Sequence, residues 1–244
     1  MGKHLKRLAS PRSWKIKRKA GKWVVKPGPG PHRKDESIPL LLLVRDYLHL
    51  GNTSNEAKKI INQGKILVDK VVRKDYKFPV GLMDVIEIPE IKQRRIVLLD
   101  EKGRLTLKKL LKKNSKYKLC KIVNKTVVKG GHIQLNLHDG RNILIKVSDP
   151  TNPVEDIYRT NDTVVINLDK NTISNHLHYR EGSIALITGG SHRSKVAKIE
   201  EIKKTRSPEP NIVKLKVDDT SFETIEDYVF VIGEEEPFIA EVAK

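Results

Sequence analysis

Residues 53–88 read TSNEAKKIINQGKILVDKVVRKDYKFPVGLMDVIEI, and the order of signals in this stretch decides the fold expected of the chain. Thr53-Ser54-Asn55-Glu56 is a capping box, in which the Thr53 hydroxyl accepts the Glu56 backbone N–H while that carboxylate reaches back. The helix it opens stops at Gly64, a residue suited to the left-handed turn after a helix. Ile66 to Val72 reads as a tight β-turn between short strands, and Asp84-Val85-Ile86-Glu87-Ile88 alternates as a further strand ended by Pro89. Upstream, SIPLLLLVRDYLHL, Ser37 to Leu50, predicts an apolar helix with Pro39 in its first turn and Gly51-Asn52 at its end. Two helices on a small sheet follow.

The chain has 244 residues, enough for more than one core, and 48 Lys and Arg against 30 Asp and Glu leave a formal charge of +18. An excess of that size calls for a polyanion, nucleic acid first. The longest apolar run, Leu40 to Val44, is far below the roughly 20 residues needed to cross a bilayer. The N-terminus is basic without the apolar stretch of a secretory signal, so a cytoplasmic chain with no membrane partner is expected. The single cysteine, Cys120, excludes an internal disulfide and a thiolate-rich zinc site and reads as a buried strand residue.

The charge is uneven. Residues 1–36 hold twelve Lys and Arg against Asp35 and Glu36, whereas residues 206–244 hold four against ten acidic residues. With scattered apolar side chains and the run Pro27-Gly28-Pro29-Gly30-Pro31, residues 1–36 predict a basic extension without a core of its own. Trp14 and Trp23 lie among its cations, pairing aromatic faces that can stack on bases with charges that neutralise phosphate. The acidic C-terminal segment would repel phosphate and is expected to face away from nucleic acid, to meet a basic protein, or to be an ordinary solvated appendage.

Residues 101–172 predict a central β-rich domain. Lys118 to Val123, Ile133 to Leu137, Asn142 to Val147 and Asp162 to Leu168 are short strand segments, with turns at Gly130-Gly131 and His138-Asp139-Gly140-Arg141. His138, Asp139 and Arg141 are the letters of a polar hairpin tip, without catalytic chemistry. From Arg180, EGSIALITGGSHRSKVAKIEEI places two alternating strands around a Gly-Gly loop with basic residues; Gly189 and Gly190 suit positive φ or close backbone approach. The packing of Ile212 to Val217 and Tyr228 to Ile232 stays open.

Helix, turn, EAKKIINQGKILVDKVVRKD, then FPVGLMDVIEI resembles the S-four RNA-binding module, which occurs also in pseudouridine synthases and tyrosyl-tRNA synthetases. Read together with HLKRLASPRSW, PGPGPH, IPLLLLVRDYL, KLCKI and GGHIQLNLHDGR, the chain resembles the S-four-e family, small-subunit ribosomal proteins of archaea and eukaryotes, over essentially its whole length. The segment from Arg180 resembles a KOW motif, departing from it at Ser194 and Ala197, where the motif carries glycines. The resemblance implies a multi-domain α+β chain. Its parts are a basic N-terminal extension (1–36), a two-helix-plus-sheet RNA-binding domain (37–100), the central β-rich domain (101–172), a KOW domain of SH3-like β-barrel type (173–206) and an acidic C-terminal β appendage (207–244).

It also implies a structural constituent of the small subunit that binds and stabilises folded rRNA beside neighbouring ribosomal proteins. Neither an enzyme, a cofactor nor a small-molecule substrate is expected. The residues expected to meet RNA are Lys6, Arg7, Arg12, Trp14, Lys15, Lys17, Arg18, Lys19, Lys22 and Arg33 of the extension. The first domain adds Arg45, Lys58, Lys59, Lys65 and Arg73, a face that the resemblance implies. The central domain adds Lys118, Lys121 and Lys129, and the KOW loop adds Gly189, Gly190, His192, Arg193 and Lys195. Phosphate contact needs many cations and no fixed spacing. Two other readings compete: an RNA-modifying enzyme with an accessory RNA-binding domain, which needs a separate catalytic domain, and a transient KOW-type factor. No metal site is expected, because the eight His are dispersed and His176-x-His178 has no acidic or cysteine neighbour in sequence.

Overall fold

The computed structural model describes residues 4–149, 153–217 and 220–243. The chain is mostly β with short helices and divides into two compact units between Lys118 and Leu119.

The first unit opens with a two-stranded pairing of β1 (Leu5–Lys6) and β2 (Trp23–Val24). Strand β3 (Ser37–Pro39) leads into α1 (Leu40–Leu42), which a π-helical segment, Leu43–Tyr47, prolongs. The helix expected from Ser37 therefore starts three residues late, and the reason is Pro39. A proline biases the residue before it toward extended backbone, and Ser37, Ile38 and Pro39 pair with Gly81, Val80 and Pro79. Helix α2 (Ser54–Asn62) carries the complete capping box: Thr53 Oγ1 accepts the Glu56 N–H at 3.2 Å, and Glu56 Oε2 accepts the Asn52 and Thr53 N–H groups at 2.8 and 3.4 Å. Ala57 and Ile61 form its buried face against Leu40 to Val44.

Strands β4 (Leu67–Val68), β5 (Val71–Val72), β6 (Pro79–Gly81), β7 (Val85–Ile88), β8 (Gln93–Leu99) and β9 (Leu105–Lys109) complete this unit. One antiparallel sheet runs in the order β5-β4-β7-β8-β9, and β6 pairs with β3 alone. The boundary expected between 100 and 101 falls inside the β8–β9 hairpin, where Leu99 pairs with Leu105. The turn residues Asp100 to Gly103 close a hairpin there and do not end a domain.

Residues 5–25 are not a free extension. The Trp14 ring is 2 % exposed, its Nε1–H donates to the Ser37 carbonyl at 2.6 Å, and the Leu105 N–H donates to the Ser13 carbonyl at 2.8 Å. Leu5 joins the same core, with Ile16, Val24 and Val25 packed against it. A segment too poor in apolar residues to make its own core thus borrows its neighbour's. The PGPGPH run docks as well: Gly28 N–H donates to the Lys77 carbonyl at 2.9 Å, and a Cβ on Gly81 would collide with the His32 ring.

The second unit holds β10 (Tyr117–Val127, its first two residues lying in the first unit), β11 (Ile133–Leu137), β12 (Asn142–Ile145), β13 (Thr163–Asn167) and β14 (Thr172–Leu177) in a sheet ordered β12-β11-β10-β13-β14. A further antiparallel sheet contains β15 (Ile184–Ile187), β16 (Val196–Lys203), β17 (Ile212–Val217), β18 (Thr220–Ile225) and β19 (Val229–Gly233), ordered β18-β17-β16-β15-β19. The acidic segment is therefore no appendage. Three of the five strands come from it, and Val213, Leu215 and Val229 to Ile232 are buried. Cys120 is buried on β10, and at the polar hairpin tip Asp139 is buried too, paired with Arg141 Nε at 3.2 Å.

A charged cluster organises the first unit. The Lys118 ammonium, 1 % exposed, lies 2.6 Å from both Asp69 Oδ2 and Asp84 Oδ1, and His32 Nε2 lies 3.0 Å from each Asp84 oxygen. Burial alone would raise the Asp84 carboxyl, but Lys118 and His32 hold it far below the ordinary carboxylate range. Its ionised form therefore contributes stability at all pH above the unfolded value of about 3.9 and loses it as pH falls toward the depressed folded value. Acid unfolding should steepen below about pH 4, and Asp84→Asn should flatten that limb. Lys118→Met strands two buried carboxylates and should cost about 3–5 kcal/mol, read as a lower urea midpoint.

Candidate nucleic-acid interface

The amino-terminal cations divide into those that face solvent and those that hold the segment in place. Lys6, Arg12, Lys15, Lys17, Lys19, Lys22 and Arg33 are exposed. Arg7 Nε donates to the Lys17 carbonyl at 2.6 Å, and the Arg18 guanidinium donates to the carbonyls of Leu8, Ser10 and Pro11 at 3.2, 2.7 and 2.8 Å. Both act first as internal cross-links. The expectation that Trp14 stacks on a base is corrected, because its ring fills the core and its one donor is used. Trp23 remains: it is 52 % exposed, with Lys22 Nζ 5.4 Å from its ring centroid and the His4 ring at 5.5 Å.

On the two-helix unit, Lys58 Nζ lies 4.7 Å and Lys77 Nζ 5.5 Å from the Tyr76 ring centroid, and the Arg73 guanidinium lies 4.4 Å over Phe78. Cations held over aromatic faces are partly fixed before a phosphate arrives, which lowers the ordering cost of binding. Tyr76, Lys77 and Phe78 were missed in the sequence, although the interleaving of cations and rings in RKDYKF is the signal for them. Lys59 is exposed. Arg45 is held within the protein, since Asp46 grips it through two bonds of 2.7 and 2.9 Å and Ser54 Oγ accepts a third; Lys65 pairs with Glu90 at 3.2 Å.

Two central lysines expected to meet RNA are instead buried. Lys118 is enclosed by its carboxylates, and Lys121, 8 % exposed, donates through Nζ to the Val229, Asp227 and Glu226 carbonyls at 2.8, 3.1 and 3.4 Å. Burial, partly offset by Asp227 and Glu226, pushes the Lys121 ammonium down to about 8. Strand periodicity could not separate these two from the exposed Lys129 at the β10–β11 turn. In the β15–β16 loop Arg193 and Lys195 are exposed, and His192 stacks on Phe222 with centroids 4.0 Å apart. Gly189 is there for space, since a Cβ would collide with the Tyr228 ring, whereas Gly190 has φ +77°. Ser194 takes φ +75° without being glycine.

The chain is 52 % identical over 239 residues to the small ribosomal subunit protein eS4 of Methanococcus vannielii, a match covering 98 % of this chain and 97 % of that one. It is 54 % identical over 238 residues to the eS4 of Methanocaldococcus jannaschii, covering 97 % and 96 %. This chain belongs to the ribosomal S4e family. Family models agree along it: the RS4NT (NUC023) domain matches residues 1–35, the S4 domain 43–86 and Ribosomal family S4e 92–173. The crystal structure of the 30S ribosomal protein S4e from Thermoplasma acidophilum superposes with a TM-score of 0.69 at 32 % identity, covering 82 % of this chain and 97 % of that one. S4e proteins are ribosomal structural proteins, not enzymes. In this S4e chain Trp14 lies in the RS4NT match and Lys58, Arg73 and Tyr76 in the S4 match, while the His192 loop lies beyond all three.

The two tryptophans should separate experimentally. Trp14→Ala should lower stability by about 3–5 kcal/mol, the cost of emptying a large core position. Trp23→Ala should leave the melting temperature unchanged and weaken binding to a structured RNA by about 1–3 kcal/mol, the worth of one stacked base. Thermal melting and filter binding of both variants check this pair.

Proposed function

We propose that this chain is a structural constituent of the small ribosomal subunit, where it binds and stabilises folded small-subunit rRNA and so supports translation. The observation that carries the reading is the near-complete match to proteins named small ribosomal subunit protein eS4. Exposed cations on the amino-terminal segment and around Tyr76 and Phe78 supply the phosphate contacts. Lys129, Arg193 and Lys195 add others from the second unit. Strands β15 to β19 act as a KOW-type SH3-like module whose Gly189-Gly190 loop touches RNA; the boundary expected at 172/173 falls at the start of β14, which pairs with β13 in the other sheet. The acidic carboxyl-terminal strands face a basic neighbouring protein. The chain works in the cytoplasm as part of the subunit.

The test is sucrose-gradient sedimentation of lysate at low and high salt, with quantitative mass spectrometry across the fractions. One copy per small subunit, retained through the high-salt wash, is the expected result; recovery only in light fractions would contradict it and favour the transient factor or the modifying enzyme. In purified components, neutralising Lys15, Lys17 and Lys19 together to Ala should leave the fold intact. The slope of log K against log salt should shrink by about one unit for each phosphate that is no longer neutralised.

A further inference from the structure

His176 and His178 have no acidic partner close in sequence, but the fold supplies one. Asp162 stands just before β13, and β13 pairs with β14 from Thr163 opposite Leu177, so Asp162 and His178 flank the open end of this hairpin. His176 Nε2 is 2.7 Å and His178 Nδ1 3.8 Å from the same Asp162 oxygen, Oδ2, and the three potential ligand atoms all lie within 4.8 Å of one another. The two imidazole rings meet at a centroid distance of 4.2 Å, with the Tyr158 ring 4.8 Å from His176.

We propose that Asp162, His176 and His178 form a binding site for a divalent zinc-type cation that clips the open end of the β13–β14 hairpin. Zinc–ligand bonds of about 2.0–2.2 Å in a tetrahedron set ligand atoms about 3.4 Å apart, and the observed 2.7 and 3.8 Å bracket that separation. The cation takes the place of the His176–Asp162 contact and brings His178, whose side chain is 47 % exposed, inward to complete a three-ligand set with one position open. The carboxylate is oriented for this, as Oδ1 accepts the Tyr179 N–H at 2.8 Å and Oδ2 the Arg159 N–H at 3.0 Å. Such backbone donors are the outer shell that fixes a ligand's direction. Two imidazole nitrogens beside one carboxylate select zinc over magnesium, which prefers an all-oxygen shell.

The full chain, stripped with a chelator, is titrated with zinc chloride in a calorimeter and melted with and without zinc. The expected result is a site holding one Zn2+ per chain, a higher melting temperature with zinc, and no effect of magnesium chloride at equal concentration. His178→Ala, a change at a half-exposed side chain, should keep the metal-free melting temperature while weakening zinc binding at least tenfold, since loss of even an outer-shell partner costs about 10–100-fold. His176→Gln should weaken it similarly. Absence of zinc binding, undiminished binding in His178→Ala, or loss of binding in Cys120→Ser with His178→Ala unaffected would each overturn the proposal. The last would place the ion at the buried Cys120, His138 and Asp139 group.

Discussion

The Lys118 ammonium, buried between Asp69 and Asp84, is the interaction on which the first unit depends. Removing three charges from water costs several kcal/mol per ion, and Coulomb attraction offsets that only where the remaining lone pairs are used. Here they are. Asp69 Oδ1 accepts the Val85 N–H at 2.9 Å, Asp84 Oδ2 accepts the Gly81 N–H at 2.9 Å, and His32 closes the other side. One cluster thereby ties the β4–β5 turn, the β6–β7 corner, the PGPGPH run and the entry into β10. It also explains why Asp69 and Lys70 take φ of 52° and 66° in a turn without glycine. The Asp69 carboxylate is held from two directions, and Lys70 Nζ is anchored on Glu87 Oε1 at 2.8 Å.

A strongly basic chain has to solve a second problem, which is to display cations without being driven apart by them. Part of the answer is that some cations are internal. Arg7 and Arg18 cross-link carbonyls, Arg45 is neutralised by Asp46, and Lys118 and Lys121 are enclosed. The exposed lysines and arginines between Lys6 and Arg33 stand on a framework that is already ordered, so binding a polyanion does not have to fold the segment that binds. That arrangement suits a permanent constituent of a ribonucleoprotein better than a tail that orders on contact.

Local features were legible in the sequence and nonlocal ones were not. The capping box, the stop at Gly64 and most strands of the second unit depend on neighbours a few positions apart, and their residue types announce them; β14 and β18, rich in polar residues, were not read from the sequence. The Trp14 bond to Ser37 spans 23 positions, the Lys118 bond to Asp69 spans 49, and the His176 contact with Asp162 spans 14. No periodicity encodes such pairs. The amino-terminal segment looked coreless because its apolar density is low, yet one tryptophan inserted into a neighbouring core is enough to anchor it. For the same reason, a lysine that bridges buried carboxylates and a lysine that waits for phosphate look alike in a strand pattern.

The proposed RNA binding by the cationic amino-terminal segment requires that segment to be folded onto the first unit before any RNA arrives. Hydrogen–deuterium exchange of the free protein probes this at two protons: the Leu105 amide, which bonds to the Ser13 carbonyl, and the Trp14 indole N–H, which bonds to the Ser37 carbonyl. Protection at both sites comparable to that of the α2 amides is the predicted result. Exchange at unstructured-peptide rates at both, with α2 still protected, would contradict a pre-folded segment.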